Sequence, residues 1–177
     1  MQSKQMTISD LLQDKASKTK EKVLTIGGWL VEGSVTADEL MALAETSKDA
    51  AKATCIEALE WATRLQPAIA DRNVFDFMTN ALAETAPRIK WESAKVVAHI
   101  AHLFPDSVDR AVDHLLVNAR SAGTVVRWAS AAALGAILPI QKKGSNGLLA
   151  AMETLCEQET DNGVRKKYIA AIKKHKA

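Results

Sequence analysis

A chain of 177 residues is long enough to bury a core of its own without disulfides or bound metals. Hydrophobic residues make up 47% and charged residues 25%; Ala is abundant and Tyr, Phe, Pro and Gly are scarce, a balance that favours close-packed helices over sheet. The net charge of +2 is unevenly spread: residues 162–177 hold six bases and no acid, residues 1–22 five bases and three acids, and the middle twelve bases and eighteen acids. Only the C-terminal end therefore offers an electrostatic footprint for an anionic partner.

Thr7 to Lys15 predicts a short leading helix with Ile8, Leu11 and Leu12 on one face. Lys18 to Glu32 predicts a second, apolar from Val23 onward and ended by Gly33. Together they form an N-terminal cap over residues 1–35. Thr36-Ala37-Asp38-Glu39 has the form of a capping box, in which the hydroxyl and carboxylate satisfy the free amides of a helix start. Helices over Ala37 to Thr46 and Ala50 to Leu65, broken near Lys48 and stopped by Pro67, make a hairpin spanning 36–67.

The same unit then recurs. Asn73 to Glu84 and Arg88 to Phe104 form a hairpin over 71–105, stopped by Pro105. Asp106 to Arg120 and the run from Val126 to Pro139 form the next, over 106–140. Ser145 to Glu157 and Val164 to His175 form the last, over 145–177, divided at Asp161-Asn162-Gly163, which has the composition of a turn. All of this reads as a single domain over 1–177.

Aligning the second helices exposes the repeat. Lys52, Lys90, Arg127 and Arg165 fall in register at intervals of 38, 37 and 38 residues. Four positions on stand Ile56, Ala94, Ala131 and Ile169; seven positions on stand Leu59, Val97, Leu134 and Ile172. A basic helix start followed by apolar residues in four copies is the period of an α-solenoid.

The stretch Val126-Arg127-Trp128-Ala129-Ser130-Ala131-Ala132-Ala133-Leu134-Gly135-Ala136-Ile137 resembles the second-helix pattern of HEAT repeats, and Thr25 to Leu30 resembles its tail. The likeness runs from about residue 20 to the end, strongest at Lys90 to Leu103 and Val126 to Leu138. It implies an all-α, right-handed α-solenoid of about four to five helical hairpins. It implies a non-catalytic scaffold or adaptor that holds a protein or peptide on a concave surface lined by the second helices.

On that face periodicity places Ala53, Glu57, Glu60 and Arg64 in one unit, Trp91, Lys95, His99 and His102 in the next, and Trp128, Ala132, Gly135 and Ala136 after that, with Glu92 among them. Trp91 and Trp128 share one register position. They either anchor a partner, with Lys95, His99, Glu57 and Arg64 supplying polar selectivity, or fold over the helix start as core between units. Their exposure separates the two readings.

The alternative is nucleic-acid binding through Lys52, Lys90, Arg127 and Arg165 together with Lys166 and Lys173 of the basic last helix. The competing role for that ladder is to pair with acids or helix ends of the neighbouring unit. Trp91-Glu92-Ser93-Ala94-Lys95 also resembles the Trp-Asp-x-x-Asp element of the HEAT-like DNA-alkylation-repair glycosylases, but Lys95 stands where the resemblance would place the catalytic carboxylate.

No nucleophile elbow or phosphate loop occurs, and no third ligand joins His99 and His102, so neither an enzyme, a cofactor nor a metal is expected. Cys55 and Cys156 read as buried thiols of a reducing compartment. No apolar run of membrane-spanning length and no signal segment is seen. The chain reads as a cytoplasmic protein, monomeric or weakly homodimeric.

Overall fold

The computed structural model describes residues 6–141 and 147–177; residues 1–5 of the expected N-terminal cap, and the expected start of the last hairpin at Ser145, lie outside the described residues. The described residues form ten α-helices and no strand: α1 (Ile8–Gln13), α2 (Thr19–Glu32), α3 (Ala37–Glu45), α4 (Asp49–Leu65), α5 (Arg72–Ala81), α6 (Pro87–Ile100), α7 (Asp109–Asn118), α8 (Thr124–Ile137), α9 (Gly147–Gln158) and α10 (Asn162–Lys176).

Local chemistry sets most of their ends. Thr36 Oγ1 accepts from the Glu39 amide at 3.2 Å while Glu39 Oε2 accepts from the Thr36 amide at 2.7 Å, a reciprocal cap that starts α3. Gly33 closes α2 in the left-handed conformation, φ 75°, which a side chain would make costly. Pro87 opens α6 at its first turn, where no amide donor is needed.

Three boundaries differ from the sequence expectation. Asp161-Asn162-Gly163 is not a turn: Asp161 Oδ1 accepts from the Val164 amide at 2.9 Å, and Asn162 and Gly163 form the first turn of α10. An Asp caps a helix as readily as it starts a turn, and here the apolar face of α10 decides. The helix expected to reach Phe104 stops at Ile100, because Ala101–Leu103 tightens into a 3-10 turn ahead of Pro105. Pro105–Ser107 forms another 3-10 turn, so α7 begins at Asp109 rather than Asp106.

The helices pair in sequence, α3 with α4, α5 with α6, α7 with α8 and α9 with α10, while α1 and α2 lead the stack. Consecutive second helices, α2, α4, α6, α8 and α10, pack closely on one another, whereas α3, α5 and α7 meet only lightly. The stack therefore bends toward the second helices, which form its inner layer. Between the layers lies the core, with Ile56, Leu59, Phe75, Met78, Ile100 and Leu134 at 1% exposure or less. Residues four and seven beyond the ladder position fill it in α4, α6 and α8, whereas on α10, where no further unit of the described residues covers them, Ile169 is 49% exposed and Ile172 is half-buried.

Two glycines permit the closest approaches in the inner layer. Trp61 of α4 lies against Gly27 of α2, and Ala171 of α10 against Gly135 of α8. Gly135 thus serves contact between helices and leaves no room for a ligand there, a correction to its expected place on the open face. Only the absence of a side chain lets the axes come so near.

Candidate functional site

The basic ladder lies along one edge of the inner layer. Lys52 of α4 pairs with Glu84 in the turn after α5, at 2.5 Å. One unit on, Lys90 Nζ donates to Asn118 Oδ1 at 2.8 Å, and Asn118 Nδ2 donates to the Leu82 carbonyl at 2.8 Å. In the next, Arg127 donates through Nε and Nη2 to both oxygens of Glu159, at 3.0 and 3.2 Å, and through Nη1 to the carbonyls of Ser121 and Ala122. Each side chain thus ties its helix to the turn that ends the first helix of the following unit. Arg165 occupies the same register position on α10 and is exposed.

A second constellation bridges α4 and α6. Lys95 Nζ stands 3.0 Å from Glu92 Oε2 and 3.5 Å from Glu60 Oε2. His99 Nε2 lies 3.1 Å from Glu60 Oε1, and the Trp91 indole donates to Glu92 Oε1 at 2.8 Å. Arg64, more than half exposed, approaches Glu60 at 3.8 Å. Beside them Arg88 of α6 pairs with Glu57 of α4 and also donates to Thr54. Glu60 and Glu92 are buried, at 7% and 5% exposure, and so is Ala53; the sequence reading had placed all three on the open stripe. The neighbouring helix covers them, which the period of one helix cannot reveal.

Of the two tryptophans, Trp91 is half-buried, its indole nitrogen engaged by Glu92. Trp128 is exposed, and Lys167 Nζ sits 4.4 Å from its ring centroid, within cation-π range. The small side chains of Ala132 and Ala136 follow it along α8, both partly exposed.

Neither a protein-family model nor a curated protein sequence matches the chain. Solved structures do. A designed armadillo repeat protein in complex with the peptide (KR)4 superposes with a TM-score of 0.73 at 18% identity, over 95% of this chain and 80% of that one. A computationally designed armadillo repeat protein for modular peptide recognition gives 0.71 at 18% identity, over 94% and 79%. CpcE and CpcF of the phycocyanin lyase from Nostoc sp. PCC7120, solved as a complex, give 0.70 at 19% identity, over 93% and 96%. The chain has the fold of the armadillo and HEAT helical solenoids.

The inner face of this solenoid changes character along its length. Toward the N-terminal side, α4 and α6 present a network of paired charges. Burial pushes the Glu60 carboxyl up, but the His99 hydrogen bond and the charges of Lys95, Arg64 and His99 hold it below the usual carboxylate range. Burial lowers Lys95, and Glu92 and Glu60 more than reverse it, so the ammonium is held above its ordinary value. Toward the C-terminal side, α8 and α10 carry no acid, and Lys166, Lys167, Lys173 and Lys174 follow Trp128.

Several contributors had no signal in the sequence. Arg88, Lys167, Trp61 and Asn118 gain their roles from residues one unit away. The expected pair His99 and His102 separates: His99 bonds Glu60 while His102 is exposed beyond the end of α6. Cys55 is buried, its thiol pushed up to about 11 by burial, and Cys156 is half-buried. Among the described residues no helix is long and apolar enough to cross a membrane.

Proposed function

We propose that the solenoid is a non-catalytic scaffold that holds a protein or peptide segment on its inner face, with Trp128 as the principal anchor and Trp91 beside it. One observation carries this reading. Trp128, a large apolar side chain, is 37% exposed on a face whose next residues along the helix are alanines. An open aromatic beside small side chains supplies the deep contact on which protein interfaces concentrate their binding energy. The peptide bound by a designed armadillo neighbour, and the complex formed by the lyase pair, support the same use of the fold.

The polar groups divide into two roles. Glu57, Lys95 and His99 are bonded to neighbours within the inner layer and stiffen the wall of the groove. Arg64 retains solvent access at one end of it. Ladder residues Lys52, Lys90 and Arg127 are bonded between units, which favours the scaffold over phosphate tracking, because phosphate contacts need cations free to replace counterions.

The test is capture of partners from a lysate by the wild-type chain and by the Trp91→Ala, Trp128→Ala double variant, with thermal unfolding of both. Capture lost with the melting temperature held supports the scaffold. Capture unchanged by the double variant removes the inner face as the binding surface.

A further inference from the structure

We propose that the α8 to α10 end of the inner face binds an acidic peptide segment carrying one aromatic or large aliphatic residue. The proposal rests on the scaffold reading above and adds the chemistry of the partner.

Register and charge carry it. Lys166 occupies on α10 the position that Trp91 and Trp128 hold on α6 and α8, and Lys174 occupies that of Ala136. Both are exposed, and with Lys167 at the Trp128 ring they extend the stripe that holds Trp128. Neither α8 nor α10 contains an acidic side chain to neutralise them. Of the acids on the neighbouring segments, Glu159 is bonded to Arg127 and Glu153 to Lys176 at 2.5 Å, while Glu157 of α9 lines a surface cavity together with Lys173, Ile169 and Ile172. Like charges on one helix repel, and an anionic ligand relieves that repulsion while gaining attraction from each ammonium.

The geometry also asks for an apolar group. Lys167 Nζ lies over one face of the Trp128 ring, 4.4 Å from its centroid, and Ala132 and Ala136 follow it along α8 with only methyl groups. A ligand side chain against the indole and these methyls would bury apolar surface next to ammonium groups that want carboxylates. The span is short. The single interhelical step of about 9 Å from α8 to α10 is crossed by about three extended residues.

A peptide fits better than a nucleic acid. Farther along the inner layer the ladder cations Lys52, Lys90 and Arg127 are already bonded between units, so a phosphate backbone tracking the whole face would leave the lysines for a region with few free cations. An acidic peptide confines its charge to the basic end.

Fluorescence anisotropy on the full chain tests this with labelled peptides of about twelve residues, sized from the extended span with flanking residues: one rich in Glu and Asp around a central Phe, its Gln and Asn counterpart, its Lys counterpart, the acidic peptide with Ala for Phe, and a short DNA duplex. The acidic Phe peptide is expected to bind at least about tenfold more tightly than the neutral or Lys peptide, and to weaken several-fold as salt rises. Replacing Phe by Ala, or Trp128 by Ala, should lower its affinity by about tenfold or more. Lys166→Glu with Lys174→Glu should leave the helical circular dichroism and melting temperature unchanged and reverse the preference toward the Lys peptide.

Equal affinity for acidic and neutral peptides, or a preference for the Lys peptide, overturns the proposal. Duplex binding tighter than the acidic peptide and lost on the same Lys substitutions overturns it in favour of a polyanion site. If no peptide binds while lysate capture still depends on the two tryptophans, the proposal fails and the scaffold reading stands. If capture is also indifferent to them, both fail.

Discussion

Trp61 lies across Gly27 so closely that a Cβ on the glycine would stand 2.5 Å from Trp61 Cε3, a separation no real side chain tolerates. The contact joins α2 to α4 through the body of an indole. Gly27→Ala would gain about 1 kcal/mol of helix propensity but force the ring out of its seat. Overpacking of this kind costs about 1–3 kcal/mol, so the variant is expected to be less stable in urea denaturation. An Ala variant that unfolds at higher urea than wild type contradicts this.

Gly28, one residue on, has open space where its Cβ would go. Gly28→Ala should therefore stabilise by up to about 1 kcal/mol. The two substitutions differ only in whether Trp61 is in the way, so measuring them together isolates the close approach from the intrinsic preference of the helix.

Removing the ammonium between Glu60 and Glu92 leaves two buried carboxylates without it. Lys95→Met is expected to cost about 2–3 kcal/mol, less than the ~3–5 kcal/mol of breaking a fully buried ion pair, because Lys95 retains some solvent access. Adding Glu60→Gln and Glu92→Gln to that variant should recover much of the loss. A triple variant as unstable as the single one would locate the effect in packing rather than charge.

The same network makes stability depend on pH. The carboxyl of Glu60 is depressed in the folded chain, so its contribution is present above the unfolded value of 4.5 and is lost as pH falls through the folded value. Lys95 is raised, so its contribution is complete below 10.5 and is lost as pH rises through the folded value. Melting temperatures across this range should fall at both ends, and Glu60→Gln should flatten the acid limb. An acid limb identical in the variant would show that other carboxylates cause it.

Arg127 and Arg165 occupy one register position but differ in what they hold. Arg127 grips Glu159 with a two-pronged bond, a geometry that an ammonium does not reproduce. Arg127→Lys should cost about 1–2 kcal/mol, while Arg165→Lys, at an exposed position, should stay within about 0.5 kcal/mol. Equal effects at the two positions would remove the ladder bond as the cause.

Much of the architecture was legible because core packing leaves its period in the sequence. Ile56, Ala94 and Ala131 are buried at the position where the repeat put them, while their counterpart Ile169 on α10 is exposed because no following unit of the described residues covers it. The site was less legible, because its burial is decided by the adjacent helix. Glu60 and Glu92 look like surface residues on their own helices and become covered when α4 and α6 meet. Gly135 looks like room for a ligand and is occupied by Ala171. The ladder acceptors Glu84, Asn118 and Glu159 stand at or beyond the ends of first helices, where periodicity carries no information.

Those three ladder bonds have a kinetic meaning. By fastening each inner helix to the turn of the next unit, they fix the spacing between helices before any partner arrives. On the scaffold reading proposed above, a peptide would then find the walls of the inner face already in place and have only its own freedom to lose. Association should then proceed without a slow rearrangement of the protein, its rate governed by collision and charge, and affinity should be set mainly by how long the peptide stays.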